Sequence, residues 1–198
     1  SNLDAKLREE TRDQIRDLQK QLGITTIYVT HDQAEALAIS DQIAVMHGGK
    51  LIEVGEPRQL YAKPKRKFTA TFLGLTNLIN GKVAEVGANS DLGRVDTEFG
   101  MLSFDPAVPM DKGTDCVISI RPENIKVAKE APLVMDNVLQ GTLYDAVFMG
   151  DAYHCQVKVR EKLVRVHTHP ANAVPVGTTV YLALDPASCN GLPADDTE

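Results

Sequence analysis

Gln140-Gly141-Thr142-Leu143-Tyr144-Asp145-Ala146-Val147-Phe148-Met149-Gly150-Asp151-Ala152-Tyr153-His154-Cys155-Gln156-Val157-Lys158-Val159 decides the larger part of the fold. Gln140 to Phe148 and Tyr153 to Val159 are alternating runs that read as strands, and Met149-Gly150-Asp151 between them is a hairpin turn. Working outward, the same kind of short run recurs at intervals with no helical period. Leu78 to Val86, Gly93 to Asp96, Gly100 to Phe104, Cys116 to Arg121, Ile125 to Val127, Leu163 to Thr168 and Thr179 to Leu184 all read as strands bounded by Gly, Pro, Asn or Asp. Gly177-Thr178 introduces the last of them. That spacing predicts a small barrel or sandwich from residue 76 onward. An oligonucleotide-binding barrel should show exposed aromatics among basic residues. Here aromatics are 5% of 198 residues and the net charge is −6, which favours a protein-contact or small-ligand barrel over one that binds nucleic acid.

Before about Leu75 the pattern changes. From Asp4 to Leu22 the positions Leu7, Thr11, Ile15, Leu18 and Leu22 recur every three to four residues with charge between them, and Gly23 is a stop, so this is a surface helix on a sheet. Ile24-Thr25-Thr26-Ile27-Tyr28-Val29 is too short and continuous for an amphipathic helix and reads as a buried strand of a parallel sheet. Thr30-His31-Asp32 then opens a helix over Gln33 to Ile39, with Thr30 or Asp32 as cap and Glu35 in the first turn. His31 therefore stands at a strand's carboxyl edge beside a helix amino terminus, where α/β sheets bind ligands and anions are attracted. A lone histidine there also has a bland reading, a hydrogen-bonded structural ring. Ile43 to Met46 and Leu51 to Val54 flank a Gly-Gly turn as a hairpin, and short helices follow at Pro57 to Tyr61 and Phe68 to Leu73. The chain thus divides into an α/β tail, residues 1–75, and an all-β domain, residues 76–198.

The remaining composition is permissive. An apolar content of 43% fills a real core, and no run reaches the roughly 18 apolar residues of a membrane span. Lys63-Pro64-Lys65-Arg66-Lys67 is a short, proline-broken basic run, read as a solvated interdomain surface, with anionic lipid or nucleic acid as the alternative. Cys116, Cys155 and Cys189 are odd in number, far apart and without CxxC spacing, which argues against a disulfide framework and a zinc site. His167-Thr168-His169 puts two rings on one face of a strand, a geometry that grips metal only with a third ligand, and none is visible. No metal site is expected.

Ser1-Asn2-Leu3-Asp4, Thr30-His31-Asp32 and Asp41 to Glu53, with the turn His47-Gly48-Gly49-Lys50, resemble three consecutive motifs of the ATPase subunits of ABC transporters, in the right order. They match the D-loop, the switch histidine and the closing hairpin of the nucleotide-binding domain. The resemblance implies that His31 contacts the γ-phosphate and the attacking water, and that Asp4, with Ser1 beside it in the D-loop, faces the partner's phosphate loop across a dimer. Ser1-Asn2 also fits an expression scar. The family's phosphate loop, G-x-x-x-x-G-K-[ST], occurs nowhere in the 198 residues. The glutamine loop, the signature sequence and the Walker B strand with its glutamate are missing too, and that glutamate is expected just before Ser1. The expectation is a carboxy-terminal piece of a larger ATPase, inactive alone, with ATP and Mg2+ handled by the intact protein.

Ser119-Ile120-Arg121-Pro122-Glu123-Asn124-Ile125, supported by Gly141-Thr142-Leu143 and the hairpin through Gly150-Asp151, resembles the TOBE-type, OB-like regulatory barrel of importers of the maltose, polyamine, ferric-iron and phosphonate classes. Pro122 biases Arg121 to extended backbone, so Arg121-Pro122-Glu123 reads as a structural corner and not as catalytic. The family implies transmembrane permease subunits, a second ATPase subunit in a homodimer and, indirectly, an external solute-binding protein as partners, at the cytoplasmic face of the cell membrane. Gly74-Leu75-Thr76-Asn77 leans to the iron, polyamine or phosphonate branch over the sugar branch. The rival expectation is a small-ligand-sensing or dimerisation module, taking an oxyanion or the transported solute as feedback, without catalysis.

Overall fold

The computed structural model describes residues 2–87, 92–132 and 136–194, with the side chains of residues 2–6, 8 and 9 set aside. The chain opens with helix α1 (Asn2–Leu22), which ends where Gly23 takes φ +62° and its N–H bonds Gln19 O at 3.0 Å. Helix α2 (Gln33–Ile39) follows, then strands β1 (Ile43–His47) and β2 (Lys50–Gly55) in an antiparallel hairpin. Gly48 and Gly49 both have positive φ, the conformation a tight two-residue hairpin turn demands and side-chain-bearing residues resist. Helices α3 (Pro57–Ala62), with proline at its first turn, and α4 (Lys67–Phe72) complete this part. Its small core is Ile43, Val45, Leu60 and Leu73, with Ile52, Phe68 and Phe72 packed against it.

The expected strand at Thr25 to Val29 is not formed. The backbone from Ile24 to Thr30 carries no regular structure, with Ile27 at 89% and Val29 at 91% exposure. A parallel strand obtains every interstrand bond from a neighbour, and no described strand lies beside this segment. The composition of a buried strand is present and the sheet that would bury it is not among the described residues.

From Asn77 on, the chain is all-β: β3 (Asn77–Glu85), β4 (Gly93–Thr97), β5 (Gly100–Pro106), β6 (Asp115–Ile120), β7 (Ile125–Ala128), β8 (Val138–Phe148), β9 (Tyr153–Val159), β10 (Lys162–Thr168), β11 (Thr179–Leu184) and β12 (Asn190–Pro193). All nine expected strands appear, in two five-stranded sheets. One closes as a barrel in the order β12-β5-β4-β3-β6, and the other runs β10-β9-β8-β11-β7. β12 is the closing strand, parallel to β5 and antiparallel to β6. Its sequence Asn-Gly-Leu-Pro carries no strand signal, but Gly191 lies against the ring of Phe104, where a Cβ would meet Cε2 at 2.4 Å. Glycine is needed there for close approach, and long-range packing makes the strand.

One core runs through both sheets. It includes Ile79, Val95, Phe104 and Ile118 from the barrel and Leu143, Val157, Val166 and Leu182 from the second sheet. Two asparagines stitch the sheets together by imitating a peptide unit. The Asn77 side chain donates to Arg165 O and accepts from Arg165 N–H, both at 2.8 Å, satisfying backbone at the β10 edge. Asn137 does the same for Ser103 of β5, both bonds at 2.7 Å. Each amide meets one donor and one acceptor that would otherwise be unpaired.

Candidate functional site

His31 is placed by its neighbours. Asp32 caps α2, accepting from Ala34 N–H at 2.8 Å and Glu35 N–H at 3.1 Å. Thr30 Oγ1 accepts the Asp32 N–H at 2.9 Å and donates to Glu35 Oε2 at 2.7 Å, and Tyr28 OH donates to the same oxygen at 3.2 Å. That bond to a carboxylate holds the Tyr28 phenol above its ordinary pKa. The tripeptide around His31 is thus fixed on both sides while His31 itself is exposed. Residues used as caps hold the backbone and leave the imidazole available, which is not the hydrogen-bonded structural ring of the bland reading. α1 packs on α2, where the Arg16 guanidinium donates to Ala38 O. Between the helices lies a groove of about 180 Å³ lined by Leu7, Ile15, Tyr28 and Ile39 among others.

The second constellation is the Arg121 corner. Pro122 opens a 3₁₀ turn (Pro122–Asn124) between β6 and β7, with Arg121 in extended backbone before it. Arg121 is 3% exposed and reaches back across the junction. Nη1 donates to Ala70 O at 2.9 Å and Leu75 O at 3.1 Å, while Nε and Nη2 share Tyr61 O at 3.3 and 3.2 Å. The guanidinium also lies over the Tyr61 ring, 4.2 Å from its centroid. Tyr61 OH donates to Glu123 Oε1 at 2.6 Å. Burial, then that bond, pushes the Tyr61 phenol up to about 12, while burial pulls the Arg121 guanidinium below its ordinary value. One buried cation therefore ties α3, α4 and the following linker to the barrel, and Asn190 of β12 adds a bond to Ala62 O at 2.6 Å.

His167 lies on β10 and His169 just beyond its end, and the two rings take different partners. His167 stacks on His154 of β9, ring centroids 3.9 Å apart and 9° from parallel, while His169 Nδ1 accepts from Ala171 N–H at 3.2 Å and so caps the turn Pro170–Asn172. No group of three His, Cys, Asp or Glu side chains suited to a metal occurs among the described residues. The three cysteines are buried free thiols, with Cys189 raised to about 12 by burial.

Residues 118–192 match the model of the TOBE domain family, a span from β6 to β12 that draws on both sheets. The chain is 34% identical over 200 residues to the spermidine/putrescine import ATP-binding protein PotA of Trichodesmium erythraeum, covering 96% of this chain and 52% of that protein. It is 35% identical over 198 residues to the Fe(3+) ions import ATP-binding protein FbpC of Fusobacterium nucleatum, covering 98% of this chain and 51% of that one. Over nearly its whole length the chain is similar to the ATP-binding subunits of ABC importers. It spans about half the length of the relatives it matches. Among solved structures, the cytoplasmic molybdate-binding protein ModG superposes with a TM-score of 0.52 at 12% identity, over 57% of this chain and 92% of that one, a likeness of fold.

Within that family frame, the residues singled out from sequence lie on different elements. His31 sits in front of α2, Asp4 falls in the first turn of α1, and Ser1 lies outside the described residues. Sequence reading took Arg121-Pro122-Glu123 as a corner and missed what the corner holds. Tyr61 is 60 residues away from Arg121, and no local pattern announces a ring that will lie beneath a guanidinium. Asn77 and Asn137 were equally silent, because an amide that completes a distant strand edge looks like any loop asparagine.

Proposed function

We propose that the chain is the carboxy-terminal portion of the ATP-hydrolysing subunit of an ABC importer, with residues 1–75 the end of the nucleotide-binding domain and residues 76–198 a regulatory TOBE-type barrel. The observation that carries this is similarity along nearly the whole chain to importer ATP-binding subunits, together with Thr30-His31-Asp32 at the head of α2. In the whole protein His31 positions the γ-phosphate and the attacking water, and Ser1 and Asp4 face the second ATPase subunit of a homodimer. An exposed imidazole on a capped, fixed backbone supports that role, because an oriented hydrogen-bonding group near developing charge stabilises it without reorganisation. The partners are the transmembrane permease subunits and, through them, an external solute-binding protein, at the cytoplasmic face of the membrane. The relatives' names make polyamines and ferric iron the solutes to test first.

No phosphate loop is present in the 198 residues, so this chain alone does not turn over ATP. Phosphate release assayed on the purified chain should match the buffer blank. His31-dependent release would overturn the requirement for the missing loop. In a longer protein that carries both this chain and a phosphate loop, His31→Ala should abolish turnover and leave the unfolding midpoint unchanged, since the ring is exposed. Turnover near normal in that variant would remove His31 from the mechanism.

A further inference from the structure

The Arg121 corner has an outer layer that neither importer chemistry nor barrel packing accounts for. Glu123 uses its two oxygens in different directions. Oε1 accepts the Tyr61 hydroxyl at 2.6 Å, and Oε2 faces His167 Nδ1 at 3.7 Å. The second distance lies beyond a normal N–H···O bond, so Glu123 is committed to Tyr61 and only poised toward His167. Behind His167 lies the parallel ring of His154, its cross-strand neighbour in the β9–β10 register. A chain of side chains therefore runs from β9 through β10 and the 3₁₀ turn to α3: His154, His167, Glu123, Tyr61.

We propose that the stacked His154–His167 pair is a proton-responsive joint, in which protonation draws Glu123 toward His167, weakens its hold on Tyr61 and loosens α3 and α4 from the barrel. Two effects act together. A proton on His167 turns a 3.7 Å approach into an attraction between opposite charges that competes with the Tyr61 hydroxyl for the same carboxylate. A second proton, on His154, sets like charges face to face at ring-stacking distance and opens the pair. Asp151 in the β8–β9 turn favours the protonated form of His167, and the cations carried by its own strand and by the packed β7 include the exposed Arg165, two residues back, and Lys126. On balance burial, then His154, holds the His167 pKa below its ordinary 6.5 against the pull of Glu123 and Asp151. The unfolded chain therefore binds this proton more readily than the folded one, and the contribution to stability is complete above about pH 6.5 and lost as pH falls through the folded value. Acid weakens the joint, in agreement with the geometry.

The test is amide hydrogen exchange of the whole chain between pH 7.5 and 5.5, corrected for intrinsic rates, read separately for residues 57–73 and for the strands of the closed barrel. In the wild type, exchange in residues 57–73 should rise roughly threefold or more on acidification while the closed barrel strands stay protected. In Glu123→Gln, which keeps an acceptor for Tyr61 but has no charge to be drawn away, the rise should disappear. It should also disappear in His167→Gln. A flat wild-type profile, an equal rise in Glu123→Gln, or a rise spread evenly over the barrel would each overturn the joint. A histidine NMR titration of the wild type supplies an answer that needs no variant: His167 is expected to titrate below 6.5, with its transition also sensed at the stacked ring of His154, and a His167 titration at or above 6.5 would overturn the joint.

Discussion

Ile24–Val29 and Tyr153–Val159 are built from similar residues and meet opposite fates. Both carry β-branched and aromatic side chains, at every position of the first and at Tyr153, Val157 and Val159 of the second, the types that favour strands. In the second run every residue from Tyr153 to Val159 is paired with β10, six of the seven are also in register with β8, and Val157 is completely buried. In the first run no ladder forms and Val29 stands out into solvent. The difference lies in what surrounds them. A strand's preference for extended backbone is worth little until neighbours supply hydrogen bonds and an apolar face, and only the barrel region carries its own neighbours. The α1–α2 region behaves likewise: Leu7, Leu18 and Leu22 lie on the apolar stripe of α1 and are all more than half exposed. The barrel buries its own strands, while Leu7, Leu18, Leu22, Ile27 and Val29 of the amino-terminal region stand exposed.

If the barrel's completeness rests on specific long-range ties, cutting one should show it. Arg121→Met should have the largest effect, because it strips the donor from three backbone carbonyls around a buried side chain: Tyr61, Ala70 and Leu75. Each acceptor left dry costs about 1–3 kcal/mol, so a loss of about 3 kcal/mol in urea unfolding is expected. The loss should be accompanied by earlier exchange of α3 and α4. A loss under about 1 kcal/mol would mean that water reaches those carbonyls and that the corner is ornamental. Next comes Gly191→Ala, which drives a methyl into the Phe104 ring at the closing strand. Overpacking of this kind costs about 1–3 kcal/mol, visible as a lower thermal midpoint, and an unchanged midpoint would show that β12 yields easily and that closure is not a rigid constraint.

These same residues mark where sequence stopped being informative. The nine strands read from Leu78 onward were legible because alternation and turn residues are local signals, and so were α2, the Gly-Gly hairpin and the short helices. β12 was illegible because it exists through pairing with β5 and β6 and through a glycine that admits Phe104, all non-local facts. The strand at Ile24–Val29 was over-read for the complementary reason, since its composition records burial that the described residues do not provide. At the proposed site, the placement of His31 before a capped helix was legible because the cap Asp32 and the helical run after it are local signals. What would surround the ring was not, because no phosphate loop occurs in the 198 residues. The Tyr61, Glu123 and His167 chain was missed because its links span 62 and 44 residues, from α3 to the turn and from the turn to β10.

The smallest expected effect is the sharpest test of the comparison. Ile27→Ser and Val29→Ser remove large apolar groups from positions that propensity alone would mark as core. With exposures of 89% and 91%, these side chains have almost nothing to lose on truncation, so each change should alter the urea midpoint of this chain by no more than about 0.5 kcal/mol equivalent. The paired control is Val157→Ser, the same chemistry placed in a completely buried strand of the barrel, where it removes core contacts and buries a hydroxyl without an assured partner. That control should unfold far earlier. If Val29→Ser cost as much as Val157→Ser, the segment would be buried in solution by contacts within this chain, and the contrast between a self-sufficient barrel and an uncovered amino-terminal region would fail. If it cost nothing here but more than about 1 kcal/mol in a longer protein that includes this chain, the segment would be a strand whose partners lie outside these 198 residues, and the β-branched run would owe its composition to that larger sheet.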